Sequence, residues 1–162
     1  LQLDAALAVA DSALRDGVTR TELLLACDRL PRVGRARAFH VVELADARAA
    51  NPFESVLRAI VSDIPGAVFE PQVWIGSIGR PDLVERRRRV IIEADSFEFH
   101  SDAASLNRDM ERYNAFVGSR HVVLRFGWRH AMFQQDYVRD TVAGVLAAEE
   151  RSGRRCGDCR AA

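Results

Sequence analysis

Apolar residues over the first 50 positions recur every three or four residues, the period of a helix that buries one face. Three short helices are predicted there, in "LDAALAVADSALRDG", "TRTELLLACDRL" and "GRARAFHVVELADARAA", broken at Gly17, Pro31 and Gly34. "NPFESVLRAIVSD" is a further helix, with Asn51 as N-cap, Pro52 at its first position and "IPG" as its end. Beyond it the pattern alternates. "AVFEPQVWI", "RPDLV" and "RVIIEAD" read as strands, "DAASLNRDMERYNAFVGS" as an amphipathic helix capped by Ser101 or Asp102, "HVVLRF" as a β-branched strand and "DYVRDTVAGVLAAEE" as a closing helix. The expected fold class is α/β: a helical segment over 1–50, a helix, three strands, helix, strand, helix domain over 51–150, and an Arg-rich flexible tail over 151–162.

Three carboxylates break the strand pattern. If "PDLV" and "RVIIEAD" pair as a hairpin through the Arg-rich turn, Ile91, Glu93 and Asp95 share one face and Val90, Ile92 and Ala94 the other. A turn centred on Arg87 and Arg88 sets Asp82 directly across from Glu93, with side-chain origins about 5 Å apart. Two carboxylates that close repel, and burial raises the cost, so something positive must stand between them. A hard divalent cation, Mg²⁺ above all, is one answer. Neutralisation by the Arg86 to Arg89 run, Arg80 or Arg125 is the other, and spacing alone does not choose.

Composition narrows the chemistry. The 23 basic and 23 acidic residues cancel, so any nucleic-acid surface must come from local clustering. Every basic residue is Arg, which removes lysine from every mechanism. No apolar run is long enough to span a bilayer and no signal-peptide pattern is present, so a cytoplasmic protein without a membrane partner is expected. The chain begins with Leu1, which suggests a piece of something longer. Cys156 and Cys159 form a lone "CGDC" without the second pair that a zinc site needs, and Cys27 sits in an apolar helical stretch.

An ordered set of motifs carries a resemblance: "ESVLR" at 54–58, Asp82-Leu83, Glu93-Ala94-Asp95, His100, "NRDMERYN" at 107–114 and "VLRF" at 123–126. Over residues 50–148 the chain resembles very-short-patch-repair (Vsr-like) endonucleases, of the PD-(D/E)XK nuclease superfamily, and an endonuclease-like domain family. The resemblance implies a restriction-endonuclease-like core (α-β-β-β-α-β-α, mixed sheet flanked by helices) and metal-dependent hydrolysis of DNA in repair or defence. It implies that Asp82, Glu93 and the Ala94 backbone carbonyl ligate Mg²⁺, for which Mn²⁺ can substitute. Asp95 stands where many relatives hold lysine and would act as a further ligand or a base. His100 matches a histidine used near the phosphate, suited by its pKa to acid–base work. Glu54, three residues after Asn51, reads as a capping-box residue, and the resemblance also brings it towards the acidic cluster.

DNA, double-stranded by expectation, would be held by Arg86, Arg87 and Arg88 at the turn and by Arg108 and Arg112, four apart on one helix face. The alternative for these arginines is a solvated charged surface. Phe97, Phe99, Trp74 and Trp128 are expected in the core or packed on strands, with Trp128, in "FGWRH" after a strand end, the aromatic to test for base stacking. A catalytically silent nuclease fold that binds DNA or protein is the competing function. A homodimer or an upstream domain is the expected assembly context.

Overall fold

The computed structural model describes residues 2–95 and 103–153, leaving the side chains of 103–105 aside. Among the described residues the protein is α/β, with a mixed four-stranded sheet, helices around it and seven helices in all. The chain divides into two compact units, Leu1–Ala59 and Ile60–Ala162. No helix among the described residues is long and apolar enough to cross a membrane.

The first unit holds α1 (Leu3–Arg15), α2 (Arg20–Asp28), α3 (Arg32–Leu44) and most of α4 (Pro52–Ser62). Leu7, Ala10, Val41, Ala45 and Ala59 form its core. Thr19 and Glu22 close a capping box at the start of α2. Inside the unit, Asp11 is fully buried and accepts a bond from the Arg58 guanidinium (2.6 Å) and another from the Asp46 backbone N–H (2.8 Å). Arg58 also donates to the Leu44 carbonyl, so one buried ion pair ties α1, the end of α3 and α4 together.

The second unit carries the sheet, in the order β1 (Glu70–Pro71), β2 (Leu83–Glu85), β3 (Val90–Asp95), β4 (Val122–Gly127). β2 runs antiparallel to both β1 and β3, whereas β3 and β4 are parallel, joined through α5 (Ala103–Gly118). α6 (Trp128–Phe133) and α7 (Gln135–Arg151) complete the unit. On one sheet face Val84 of β2, Ile91 of β3 and Val123 of β4 pack with Phe116 of α5. On the other face Phe126 of β4 meets Tyr137 of α7 edge-on, and α7 buries Val138, Val142 and Leu146 at four-residue spacing.

Three sequence expectations need correction. The strand expected over 67–75 joins the sheet only at Glu70 and Pro71, because proline has no N–H to give the ladder and Gln72 turns the chain away at φ +54°; beyond it Ile75 makes an isolated bridge to Gly79. Trp74, expected in packing, is 64% exposed. The helix α6 begins directly at the end of β4, with Gly127 as its N-cap, and six residues are too few to show a period in the sequence.

Candidate active site

The β2–β3 hairpin pairs Glu85 with Val90, Val84 with Ile91 and Leu83 with Ile92, around a four-residue turn, Arg86–Arg89. Extending that register by one step sets Asp82 opposite Glu93, the pairing that the turn centre at Arg87 and Arg88 predicts. The two carboxyls are hydrogen-bonded to each other, and the Glu93 charge also acts on Asp82. Asp82 is held from two more sides, by the Ala94 N–H on one oxygen (2.7 Å) and the Gln72 side-chain amide on the other (3.1 Å). Gln72 also donates its backbone N–H to the Asp82 carbonyl (3.1 Å). Burial and the neighbouring Glu93 charge push the Asp82 carboxyl up to about 7, and burial also raises Glu93, opposed by Arg112. The pair therefore shares a proton where two bare charges would repel.

The helix α5 explains why Arg112 is there. Asp109, Arg112, Tyr113 and Phe116 fall at the i, i+3, i+4, i+7 positions of one helical face. Phe116 covers Ile91, and one turn back Arg112 lies over Glu93, two residues further along the same strand face. Its guanidinium is 3.4 Å from Glu93 and 5.9 Å from the Phe116 ring centre. Gly79, at φ +146°, lies against the Arg112 stem, where an added Cβ would meet Cδ at 3.5 Å. Across the parallel pairing Glu93 stands beside Arg125, whose guanidinium pairs with Asp95 (2.9 Å) and sits 6.0 Å from the Tyr113 ring centre. Glu93, Asp95, Arg112, Tyr113 and Arg125 line a cleft of about 90 Å³, room for several waters or a phosphate group. Asp82 does not line it, so Glu93 is the residue that belongs to both the acid pair and the cleft.

The other candidate residues are placed differently. Glu54 accepts from the Ala50 N–H and the Asn51 amide at 2.8 Å each, while Asn51 caps the Phe53 and Glu54 N–H groups, contacts that fit its capping role. Arg86, Arg87 and Arg88 stand at the opposite end of the hairpin, about 10 Å along the strands from Asp82. There Arg86 pairs with Glu70 (2.8 Å), Arg87 with Glu150 (2.9 Å), and Arg88 with buried Glu85 (2.9 Å) and with Glu150 (2.8 Å). The turn is an ion-paired structural element and does not join the acidic cluster. Arg108 is exposed on α5, one turn before Arg112. His100, Phe97, Phe99, Ser101, Asp102, Cys156 and Cys159 lie outside the described residues.

Among the described residues no group of three or more His, Cys, Asp and Glu side chains converges as a metal cage. Mg²⁺ asks less of a protein, commonly one or two carboxylates with waters and substrate phosphates completing the shell. Asp82 and Glu93 are such a pair, the two carboxylates here that could hold a hard cation. The Ala94 N–H points at Asp82, and in a strand a residue's C=O projects to the same edge, which gives a third oxygen. Gln72 is not legible as a site member in the sequence, and Arg112, readable there as a phosphate contact, is not legible as the partner of Glu93. Gln72 follows a proline in what reads as a strand, and Arg112 is recognisable as a Glu93 partner only once Phe116 fixes the face of α5. Compared with known protein families, curated proteins and solved structures, the chain matches none of them.

Proposed function

We propose that this chain is a divalent-cation-dependent DNA endonuclease with a restriction-endonuclease-like core of the Vsr-like kind, acting in repair or defence. One observation carries the reading: Asp82 and Glu93 face each other across the hairpin with their carboxyls in contact, beside a cleft that also holds two arginines. Asp82, Glu93 and the Ala94 carbonyl would hold Mg²⁺ or Mn²⁺. When bound, such an ion polarises a phosphoryl oxygen and lowers the pKa of a coordinated water. The remaining work falls to the chain itself. Arg112 approaches Glu93 from α5 and can turn its other N–H groups to a phosphate in the cleft. Arg125, alongside Glu93 and bonded to Asp95, supplies positive charge beside the position where relatives carry lysine, so Asp95 acts by orienting this guanidinium. The resemblance assigns acid–base work to His100.

A second reading is favoured by those same arginines. Glu93 with Arg112 and Asp95 with Arg125 neutralise one another without any cation, as a silent DNA- or protein-binding module would need. Supercoiled plasmid separates the two. Nicking in Mg²⁺ or Mn²⁺ that disappears in both Asp82→Asn and Glu93→Gln supports the hydrolase. Gel-shift binding without nicking, indifferent to metal, supports the module.

A further inference from the structure

The three strand pairings share one cross-strand row. β1 pairs Pro71 with Leu83, and the next step of that register sets Gln72 against Asp82. The next step of the β2–β3 register sets Asp82 against Glu93, and β3 pairs Glu93 directly with Arg125 of β4. Gln72, Asp82, Glu93 and Arg125 therefore lie side by side across one end of the sheet, with the acid pair in the middle. The two sides of the pair differ in charge. Arg125 and Arg112 bring positive charge to Glu93, whereas a neutral amide stands against Asp82.

Gln72 is committed to Asp82 twice. Its backbone N–H donates to the Asp82 carbonyl (3.1 Å), and its side-chain Nε2 donates to Asp82 Oδ1 (3.1 Å). Both bonds are made with Gln72 at φ +54°, the left-handed region that a residue with a Cβ enters only at a cost. Packing keeps the chain there. Val73 is buried next in sequence, Ile75 and Ile78 pack with it onto Val84, Ile91 and Phe116, and the Ile75 N–H closes the loop on the Gly79 carbonyl (2.9 Å). Gly79 in turn lies against the Arg112 stem, so one loop touches both Asp82 and the arginine over Glu93.

Holding both Asp82 oxygens fixes the plane of the carboxylate. Oδ2 accepts from the Ala94 N–H (2.7 Å) and Oδ1 from Gln72, so turning the terminal torsion, otherwise broad and two-fold, breaks both bonds. Each carboxylate oxygen has two lone pairs, and one on each is left for Glu93 or a cation. A neutral donor orients the acid without neutralising it; an arginine in its place would itself be the counter-charge.

We infer that Gln72 is a positioning residue for the divalent cation, its amide locking the Asp82 carboxylate in a fixed plane before the cation arrives. The inference rests on the hydrolase reading for the identity of the ion. Residues that hold a metal ligand in this way change metal affinity about 10- to 100-fold when removed.

Gln72→Gly separates this role from a contribution to the fold. It removes the amide, keeps the backbone N–H and leaves the left-handed conformation unstrained. Mn²⁺ binding to the full chain is read from the paramagnetic resonance signal of free Mn²⁺, and Tm is measured in chelator. The expected result is about 10- to 100-fold weaker Mn²⁺ binding in Gln72→Gly, with a metal-free Tm within about 5 °C of wild type. Trp74→Ala, which alters an exposed residue of the same loop, is expected to bind Mn²⁺ as wild type does. Unchanged Mn²⁺ affinity in Gln72→Gly overturns the inference and leaves the hydrolase reading intact. An equal loss in Trp74→Ala, or a metal-free Tm lowered by more than about 5 °C in Gln72→Gly, also overturns it, because the loop's packing would then account for the effect. A wild-type chain that binds no Mn²⁺, or binds it equally well as Glu93→Gln, removes the hydrolase reading and the inference together.

Discussion

The shared proton between Asp82 and Glu93 makes the stability of the metal-free protein fall as pH rises through neutrality. Asp82 is lifted from 3.8 to about 7 in the folded state, chiefly by burial and then by the Glu93 charge. Between about pH 4 and pH 7 the folded protein therefore keeps a proton that the unfolded chain has released, and stability declines with pH over that window. The stabilisation is complete below the unfolded pKa and gone above the folded one. Each pH unit is worth about 1.4 kcal/mol, so roughly three units set a ceiling of about 4 kcal/mol. The two acids titrate as a pair and Arg112 favours the charged Glu93, which lowers the expected loss to about 2–4 kcal/mol. That is a large share of a domain stability of about 5–15 kcal/mol. Asp82→Asn fixes the neutral form, keeps an acceptor for the Ala94 N–H and offers Glu93 a donor. In urea unfolding with chelator present, wild type should lose about 1.5–2.5 kcal/mol between about pH 5 and pH 8, the part of the window that lies above pH 5, and Asp82→Asn should lose less than about 1 kcal/mol and exceed wild type at the upper pH. A wild-type curve that is flat or rising across the window, or an Asn variant no more stable at about pH 8, refutes the shared proton.

Added Mg²⁺ should reverse that decline, because a cation takes the place of the proton. At a concentration about 100 times its dissociation constant it stabilises by about 2.7 kcal/mol, readable as a rise in Tm near pH 8 in wild type and absent in Glu93→Gln. In the first unit, Asp11→Ala leaves the Arg58 guanidinium buried without its carboxylate and should cost about 3–5 kcal/mol in chemical unfolding, whereas Arg48→Ala, on the exposed Asp46 pair, should cost less than about 1 kcal/mol. Phe116→Ala empties the space over Ile91 and should cost about 3–5 kcal/mol. The same substitution should also loosen Arg112 over Glu93, read as weaker Mg²⁺ binding in Phe116→Ala measured under folded conditions.

The parts of this molecule governed by short-range periodicity were open to reading in the sequence. The Asp82–Glu93 pairing follows from an even turn and strand alternation, and the observed register of Leu83 with Ile92 agrees with it. The helical face of α5, the capping role of Glu54 and the helices of the first 50 residues are likewise local consequences of spacing. What escaped depends on contacts between distant segments. The ion pairs of the arginine turn with Glu70 and Glu150, which reach it from other elements, are not readable from local spacing. Asp11 and Arg58 are 47 positions apart and nothing local pairs them. Trp74 reads as a packed strand residue because its neighbours are apolar. Those neighbours turn inwards, and their packing holds the indole outside.

The hydrolase reading stands on a divalent ion bridging the two facing acids, and anomalous scattering at the manganese edge from a crystal soaked in Mn²⁺ near pH 8 measures this directly. The expected result is a single strong peak within coordination distance, about 2.2 Å, of carboxylate oxygens of both Asp82 and Glu93. No peak at that position, with the two carboxyls still joined by their proton and Arg112 unmoved on Glu93, would contradict it.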